Sequence, residues 1–244
     1  MSPTQSRPAS SGVGRQNRLL AALDDRELRR LGSGLVRECF ELKQILYQGG
    51  RLEAVYFPLS AVVSILTTMD DGSGVEIATI GNEGMVGVPV FLGATAIPAR
   101  DVAQVQVPGE LMGMETEAFR RAVTADGAFR RVLERYTQAL FSQISQQVAC
   151  NGLHSVEERC SRWLLLTHDR VGADEFPLTQ EFLSQMLGVR RASVTVAAGA
   201  LQRAGFIRFR RGRLTVLDRE GLEGSSCECY RVIRGEFERL LGDR

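Results

Sequence analysis

The sequence lacks long apolar runs and has few cysteines. These two features argue against a membrane-spanning protein and against a secreted protein stabilised by disulfides. No stretch approaches the roughly 20 consecutive apolar residues that a transmembrane helix needs, and the first residues carry no apolar core of signal-peptide length. The five cysteines are an odd number without extracellular markers, which fits a reduced protein better than a disulfide scaffold. We therefore expect a cytoplasmic chain with no membrane partner.

Catalytic motifs are missing as well. The sequence contains no Gly-rich phosphate loop and no HExxH pair, and nothing places its Ser, His and Asp residues together for hydrolase chemistry. We predict that the protein is not an enzyme and has no catalytic residue.

The overall composition is that of a globular chain with one large domain or two smaller ones. Its 244 residues are 44% hydrophobic and 24% charged, which argues against wholesale disorder. Residues 1–16 are the exception, because their Ser, Gly, Pro and Arg content predicts a disordered tail. Between Leu19 and Leu31, leucines recur at helical spacing, so a short amphipathic helix should open the fold.

Residues 35–114 alternate short apolar runs with turns rich in Gly and Asp. The runs Ala54–Phe57, Val62–Leu66 and Val75–Ile80 have the length of strands. This pattern predicts a hairpin-built β sandwich or roll. Glu115–Val123 then predicts a short helix.

The stretch from about Ala128 to Gln147 predicts a helix of about five turns. Its apolar stripe consists of Phe129, Val132, Leu133, Tyr136, Leu140, Ile144 and Val148. A stripe of this length needs a partner, which is either the β domain or a second copy of the helix, and the two can use different faces. We favour a self-paired dimer helix.

Residues 180–199 have the spacing of a helix-turn-helix. Ser155 and Glu158 first form a capping box that starts a helix running through Arg170, and Val171–Pro177 reads as a linker. Thr179 can then cap the first helix of the motif, and Gly188 falls at the corner, where a left-handed backbone is needed. The shared core positions are Leu183, Leu187, Val189, Val194 and Ala197.

Charge is strongly segregated around this motif. Between Phe182 and Leu217 lie seven Arg and no Lys, Asp or Glu, so the segment carries +7 and leaves −6 for the rest of a chain whose net charge is +1. Such segregation indicates a polyanionic partner, and guanidinium groups suit phosphate and guanine. Two short apolar runs flank Arg210–Arg213 and predict a hairpin with a basic tip, which is a wing.

We predict that the second helix and the wing bind double-stranded DNA. Arg190 and Arg191 are the first choices for base or phosphate contacts. The complete predicted set is Thr179, Arg190, Arg191, Ala192, Ser193, Thr195, Arg211 and Arg213. A solvated arginine-rich face on a small helical domain is the alternative, and the agreement of helix spacing, wing and charge disfavours it.

With its short helix, β roll, long helix and winged helix-turn-helix in this order, the sequence resembles the Crp/Fnr family, the relatives of the bacterial cyclic-AMP receptor protein. The resemblance spans about residues 17–240 and is strongest in SVEERCSRWLLLTHDRV and LTQEFLSQMLGVRRASVTVAAGALQRAGFI. It implies an α+β fold and a homodimeric transcription regulator that binds palindromic DNA and contacts RNA polymerase. The implied domains are a tail at 1–16, a cyclic-nucleotide-binding-like β roll at 17–126, a dimerisation helix at 127–152 and a winged helix-turn-helix domain at 153–244.

The sequence departs from the nucleotide-binding members of that family. Gly84-Met85-Val86 stands where they carry Gly-Glu-Leu/Ile, so Met85 replaces the Glu that grips the ribose hydroxyl. Arg100-Asp101-Val102 stands where they carry Arg-Ser/Thr-Ala, so a carboxylate replaces a hydroxyl donor beside the expected phosphate. We expect a sensor pocket that does not bind cyclic AMP in the usual way. Its expected residues are Met85, Val86, Gly87, Arg100 and Asp101.

The recognition helix departs as well. Of the Arg-Glu-x-x-x-Arg of the cyclic-AMP receptor only the first Arg is kept, as Arg191. The resemblance therefore implies a different target sequence.

The sequence gives little support for the iron–sulfur or haem sensors that other members of this family carry. No Cys precedes Cys39, against an N-terminal iron–sulfur cluster, and His154 and His168 lie beyond the region of haem ligands. Cys150 and His154 could share a metal only with help from Cys160, or from Cys227 and Cys229. Buried structural thiols are the default, so we predict no metal and no cofactor.

A rival interpretation is a sensor module that binds a cyclic nucleotide or another small molecule and acts through protein contacts. A helical tail that docks on a protein has no need of seven unpaired arginines. We therefore favour the DNA-binding regulator over this sensor module.

Overall fold

The computed structural model describes residues 7–8, 14–123 and 127–242 and arranges them as a β roll, a long helix and a helical region with a small sheet. The strands are β1 (Arg7–Pro8), β2 (Leu35–Phe40), β3 (Ile45–Gly50), β4 (Ala54–Pro58), β5 (Val62–Thr68), β6 (Gly74–Ile80), β7 (Ile97–Val107), β8 (Gly109–Glu115), β9 (Glu175–Pro177), β10 (Ile207–Arg210) and β11 (Arg213–Val216). The helices are α1 (Arg18–Ala21), α2 (Asp25–Gly32), α3 (Val88–Phe91), α4 (Thr116–Ala122), α5 (Ala128–Leu153), α6 (Val156–Val171), α7 (Gln180–Leu187), α8 (Arg191–Arg203), α9 (Arg219–Gly224) and α10 (Cys229–Leu241). None of the helices within these ranges has the length and apolarity needed to cross a bilayer.

Two four-stranded antiparallel sheets make the roll, with strand orders β1-β2-β8-β4 and β3-β7-β5-β6. Strand alternation points one face of each sheet inward, and Val63, Val105 and Leu111 meet between the sheets with no exposed surface. The predicted α+β fold with an N-terminal roll is confirmed.

The start of the chain differs from the expectation of one helix. Two short helices form instead, because Asp24 interrupts the run and caps α2 by accepting from the Glu27 N–H at 2.8 Å. Asn17 caps α1, and its buried amide donates to Pro58 O and Gly84 O, which fixes α1 to the roll. Of the predicted tail, Arg7–Pro8 pair with β2 and Gly14–Gln16 form a 3₁₀ turn. The rest of it lies outside the described residues, and its disorder stays a prediction.

Helix α5 continues past the predicted end at Gln147 to Leu153, and it divides its apolar stripe between two faces. Phe129 and Tyr136 pack into the core of their own chain, where Phe129 meets the rings of Phe57 and Phe119 at centroid distances of 6.2 and 5.8 Å. Phe141 and Val148 instead lie 72% and 68% exposed.

The region beyond α5 folds back onto the rest of the molecule. Helix α10 lies along α5, with the rings of Tyr136 and Phe237 6.4 Å apart. The linker predicted at Val171–Pro177 is only partly irregular, because Glu175–Pro177 form β9 on the edge of the β10–β11 hairpin. Three residues are too few for strand periodicity to be visible in a sequence.

Helix α6 docks on the roll through buried polar contacts. The Trp163 indole N–H donates to Glu76 at 2.9 Å, and Arg170 forms an ion pair with Glu83 at 2.8 Å. The Gln106 amide donates to the Thr167 hydroxyl at 2.9 Å. These contacts fix the helical region relative to the roll, because each buried polar group depends on its partner.

Candidate functional site

Helices α7 and α8 cross as the sequence predicts. The Thr179 hydroxyl accepts from the Phe182 N–H at 3.1 Å and caps α7. Gly188 ends that helix at φ +61°, where a side chain is disfavoured, and Arg190 is the N-cap residue of α8. The predicted core positions are buried except Val189, which is half-buried.

All seven arginines of the basic segment are exposed. Arg191 lies 3.7 Å from Glu181, with both side chains exposed, and Arg213 pairs with Glu175 on β9. Within the described ranges the other five form no salt bridge to a carboxylate; they are Arg190, Arg203, Arg208, Arg210 and Arg211. The segment therefore presents a cationic surface to solvent.

The outward face of α8 carries Arg191, Ala192, Thr195 and Val196. The Thr195 hydroxyl lies 3.0 Å from the Gln180 side-chain oxygen, which ties this face to α7, while Ser193 is half-buried. Val196, which is absent from the predicted contact set, is 71% exposed. Its position four residues after Ala192 was the available signal, because such residues share a helix face.

The wing is a two-residue hairpin. Arg210 pairs with Arg213 across β10 and β11, and Arg211 and Gly212 form the turn with φ of +50° and +74°. Arg208 and Arg210, which lie on β10 and are absent from the predicted contact set, are exposed beside Arg211 and Arg213. The hairpin therefore extends the cationic surface beyond α8.

Residues 158–224, which contain this surface, match the family described as the Crp-like helix-turn-helix domain. This part of the chain is a Crp-like helix-turn-helix domain. No match was found among curated protein sequences. A domain of this family supports a role in DNA binding and transcription regulation.

Solved structures resemble about four fifths of the chain. A CRP-family transcriptional regulator from Thermus thermophilus is 21% identical, with a TM-score of 0.64, over 79% of this chain and 99% of its own. A second regulator of that organism, of the CRP/FNR family, is 16% identical, with a TM-score of 0.63, over 78% and 97%. CLP from Xanthomonas campestris, a regulator described as responsive to c-di-GMP, is 14% identical, with a TM-score of 0.63, over 79% and 99%. These likenesses show the fold and, with the Crp-like domain, confirm the resemblance predicted from the sequence.

A cavity of about 190 Å³ lies between the roll and α5. Its wall is mainly apolar, with Leu140 and Ile144 of α5 on one side, and none of its described lining residues is Lys or Arg. Burial, with a smaller contribution from the charge of Asp101, raises the pKa of Tyr47, which keeps this lining phenol protonated.

Three of the five predicted pocket residues line this cavity: Met85, Gly87 and Asp101. Val86 is buried and pairs with Tyr56 through its backbone. Arg100 does not line the cavity, since its guanidinium is 2.6 Å from Asp70 in solvent. Asp101 accepts from the Thr67 hydroxyl at 3.1 Å, so the carboxylate has a local partner.

The cavity wall is joined directly to α5. The Tyr136 hydroxyl donates to Met85 O at 3.0 Å. A Cβ on Gly84 would lie 2.5 Å from the same hydroxyl oxygen, so only glycine allows this approach. The Gln143 amide donates to Thr79 O at 3.1 Å. A displacement of the wall would therefore reach the long helix.

The cysteines that the sequence left without a role also meet. Cys150 and His154, at the end of α5, converge with Cys227 and Cys229, at the start of α10, and their ligand atoms all lie within 4.8 Å of one another. Cys160, considered as a helper, is buried elsewhere in the core. A hydrogen bond from Cys227 lowers the pKa of Cys150 against the opposing effect of burial, and the charge of Arg162 contributes to the lowering.

Proposed function

We propose that this regulator is a homodimer that binds a palindromic DNA site, and that its roll does not bind cyclic AMP in the usual way. The observation that carries the proposal is the exposed set of seven arginines on the Crp-like domain. The net charge of the whole chain, +1, does not reveal this DNA-binding surface, because the negative charge of the remaining residues offsets the positive charge of the basic segment.

In the proposed complex the amino-terminal part of α8 enters the major groove. Arg190, Arg191 and Ala192 face base edges or flanking phosphates, while Thr179, Ser193 and Thr195 face phosphates. Exposed Val196 suits contact with a thymine methyl group. Arg211 and Arg213 of the wing lie along the backbone.

The homodimer is proposed from the second face of α5. Phe141 and Val148 are separated by seven residues and are both largely exposed, with half-buried Ile144 between them. Apolar residues at heptad spacing on an exposed helix are typical of a coiled-coil seam. Pairing of two copies of α5 would cover them and set the spacing of the two α8 helices.

The cavity in the roll supports the proposal that the roll does not bind cyclic AMP in the usual way. A cyclic phosphate needs a cation or several donors, whereas Asp101 puts an acid in the wall and Arg100 pairs with Asp70. The volume of about 190 Å³ is also below the roughly 300–1,000 Å³ of most small-molecule pockets. Contact with RNA polymerase is proposed only from the family resemblance.

Selection from random duplexes with the purified full-length chain tests this function. We expect enrichment of a palindrome whose half-sites lie about one helical turn apart, with an affinity that falls steeply with salt. Addition of cyclic AMP should change neither the site nor the affinity. Absence of salt-sensitive duplex binding would reject the regulator, and tight nucleotide binding by calorimetry without DNA binding would favour the sensor module.

A further inference from the structure

The group formed by Cys150, His154, Cys227 and Cys229 has the dimensions of a site for a single metal ion. The sulfurs of Cys150 and Cys227 are 3.5 Å apart, and the sulfur of Cys229 is 3.5 Å from Nδ1 of His154. A tetrahedral ion with Zn–S bonds of about 2.3 Å holds its sulfur ligands roughly 3.8 Å apart. The four side chains therefore need to move little to surround one ion, whereas several bridged irons would hold their ligands farther apart.

Hydrogen-bond partners outside the group of four already orient two of its members, His154 and Cys229. Nε2 of His154 lies 3.3 Å from the Glu228 carboxylate, so the ring can donate to Glu228 and present Nδ1 to the thiols. A carboxylate behind a histidine is the usual support of a metal-bound imidazole. The Gln146 amide donates to the Cys229 sulfur at 3.1 Å, a contact that suits a thiolate.

Two arginines beside the group, Arg159 and Arg162, have buried guanidinium nitrogens without a hydrogen-bond acceptor among the described residues, although Arg159 also donates to Leu187 O. Arg162 is 1% exposed, and its Nε and Nη2 have no hydrogen-bond acceptor; Nε of Arg159 is also without one. Both guanidinium groups interact electrostatically with Cys150. A Zn²⁺ ion with three thiolates and one neutral imidazole has a net charge of −1, which would compensate part of the positive charge of these two guanidinium groups.

We propose that Cys150, His154, Cys227 and Cys229 bind one Zn²⁺ ion. The three cysteines are 0%, 4% and 0% exposed, and four protein ligands leave no open position, so the site is structural. Binding releases the thiol protons to solvent, which makes the affinity rise with pH. The ion joins the end of α5 to the start of α10 and so fixes the carboxyl-terminal helix to the long helix.

A disulfide between Cys150 and Cys227 is the competing use of these residues. It would engage two thiols and explain neither the approach of His154 and Cys229 nor the two nearby guanidinium groups with unsatisfied nitrogens. The metal site accounts for all of them.

Metal titration of the full-length protein tests the proposal. Protein reduced and stripped with a chelator is titrated with Zn²⁺ against a chromophoric competitor, and with Co²⁺ as a spectroscopic probe. We expect one ion per chain, and for Co²⁺ the thiolate charge-transfer and visible bands of a tetrahedral site. Cys229→Ser and His154→Asn should lose stoichiometric Zn²⁺, and His154→Asn alters a partly exposed residue, which favours folding of that variant.

Matched controls use the same substitutions outside the group. Cys39→Ser changes an exposed thiol and His168→Asn changes the other histidine, so both should keep the ion. The proposal is overturned if the unaltered protein binds no Zn²⁺, if Cys229→Ser keeps the tetrahedral Co²⁺ spectrum, or if protein isolated with its metal contains several irons and sulfide. A Cys150–Cys227 disulfide that forms in protein exposed to stoichiometric Zn²⁺ would overturn it too.

Discussion

Among single residues, Arg191 gives the most direct test of the recognition helix. Its guanidinium is exposed and only loosely paired with Glu181 at 3.7 Å, so it is available to a base edge or phosphate. We expect Arg191→Ala to weaken binding to the selected duplex by about 1–3 kcal/mol and to relax preference at one base pair. Fluorescence anisotropy with the selected site and its single-base variants measures both effects.

Arg29→Ala is the matched control for that variant. It removes the same charge from an exposed position on α2 and should leave the affinity nearly unchanged. If Arg191→Ala behaves like this control, the assignment of α8 as the recognition helix is wrong.

Glu76 makes stability depend on pH in an unusual direction. The carboxyl group is 2% exposed between β6 and α6, and burial raises its pKa above the ordinary 4.5, against hydrogen bonds from Ser64, Thr79 and Trp163. A raised pKa means that the folded state holds the proton more tightly than the unfolded state. Its contribution to stability is thus complete below pH 4.5 and is lost as pH rises through the raised pKa.

We therefore expect Glu76→Gln to remove part of this loss. Relative to the unaltered protein, the variant should gain unfolding free energy as pH increases from about 5 to 8 in urea denaturation. Glu41→Gln, at an exposed position, should follow the unaltered protein. A pH dependence of Glu76→Gln parallel to that of the unaltered protein would contradict the linkage.

At the scale of elements, the wing turn retains an arginine where glycine is favoured. Arg211 has a φ of +50°, a left-handed conformation that costs an L-residue about 1–2 kcal/mol. Arg211→Gly should raise the unfolding free energy by roughly 1 kcal/mol. The same change should weaken DNA binding and lower the salt slope by about one.

Lys43→Gly serves as the control, because Lys43 is the other described non-glycine residue with positive φ, at +66°, and lies in a turn of the roll. It should stabilise the protein without affecting DNA binding. If Arg211→Gly also leaves the salt dependence of binding unchanged, the wing does not contact the phosphate backbone.

The elements that the sequence predicted well are those set by local chemistry. Gly188 marks the corner, Thr179 and Ser155 mark helix starts, and these signals lie within a few residues of what they control. Helix α5 continues past the predicted end at Gln147, because no helix breaker stands there and the helix ends only just before Ser155, which caps the next one.

The features that could not be predicted from the sequence depend on contacts between distant segments. From the sequence, Cys227 and Cys229 are only one of two candidate additions to Cys150 and His154, because Cys227 is 77 residues from Cys150 and only the return of α10 onto α5 brings the two together. Likewise Arg100 follows the family pattern in sequence, while its side chain pairs with Asp70 on a neighbouring hairpin. Pairing between distant segments depends on packing, which no local pattern encodes.

In the whole molecule, the roll, α5 and the Crp-like domain are joined by buried polar contacts. Glu83–Arg170 and Glu76–Trp163 connect the roll to α6, and Tyr136 connects the cavity wall to α5. A signal that moves the wall would thus reach both the proposed dimer seam and the DNA-binding domain. Such a signal can act only through a difference in affinity for two arrangements of these parts.

The proposed dimer seam is tested by placing charge on it. In the double variant Phe141→Glu, Val148→Glu, four carboxylates would meet across two α5 helices, and like charges in a seam oppose pairing. Since both side chains are exposed in one chain, the fold should persist. We expect sedimentation equilibrium to give the mass of one chain, and affinity to fall for the palindrome while staying unchanged for a single half-site. Leu42→Glu, on an exposed loop of the roll, should remain dimeric, and a double variant that also stays dimeric would place the seam on another surface.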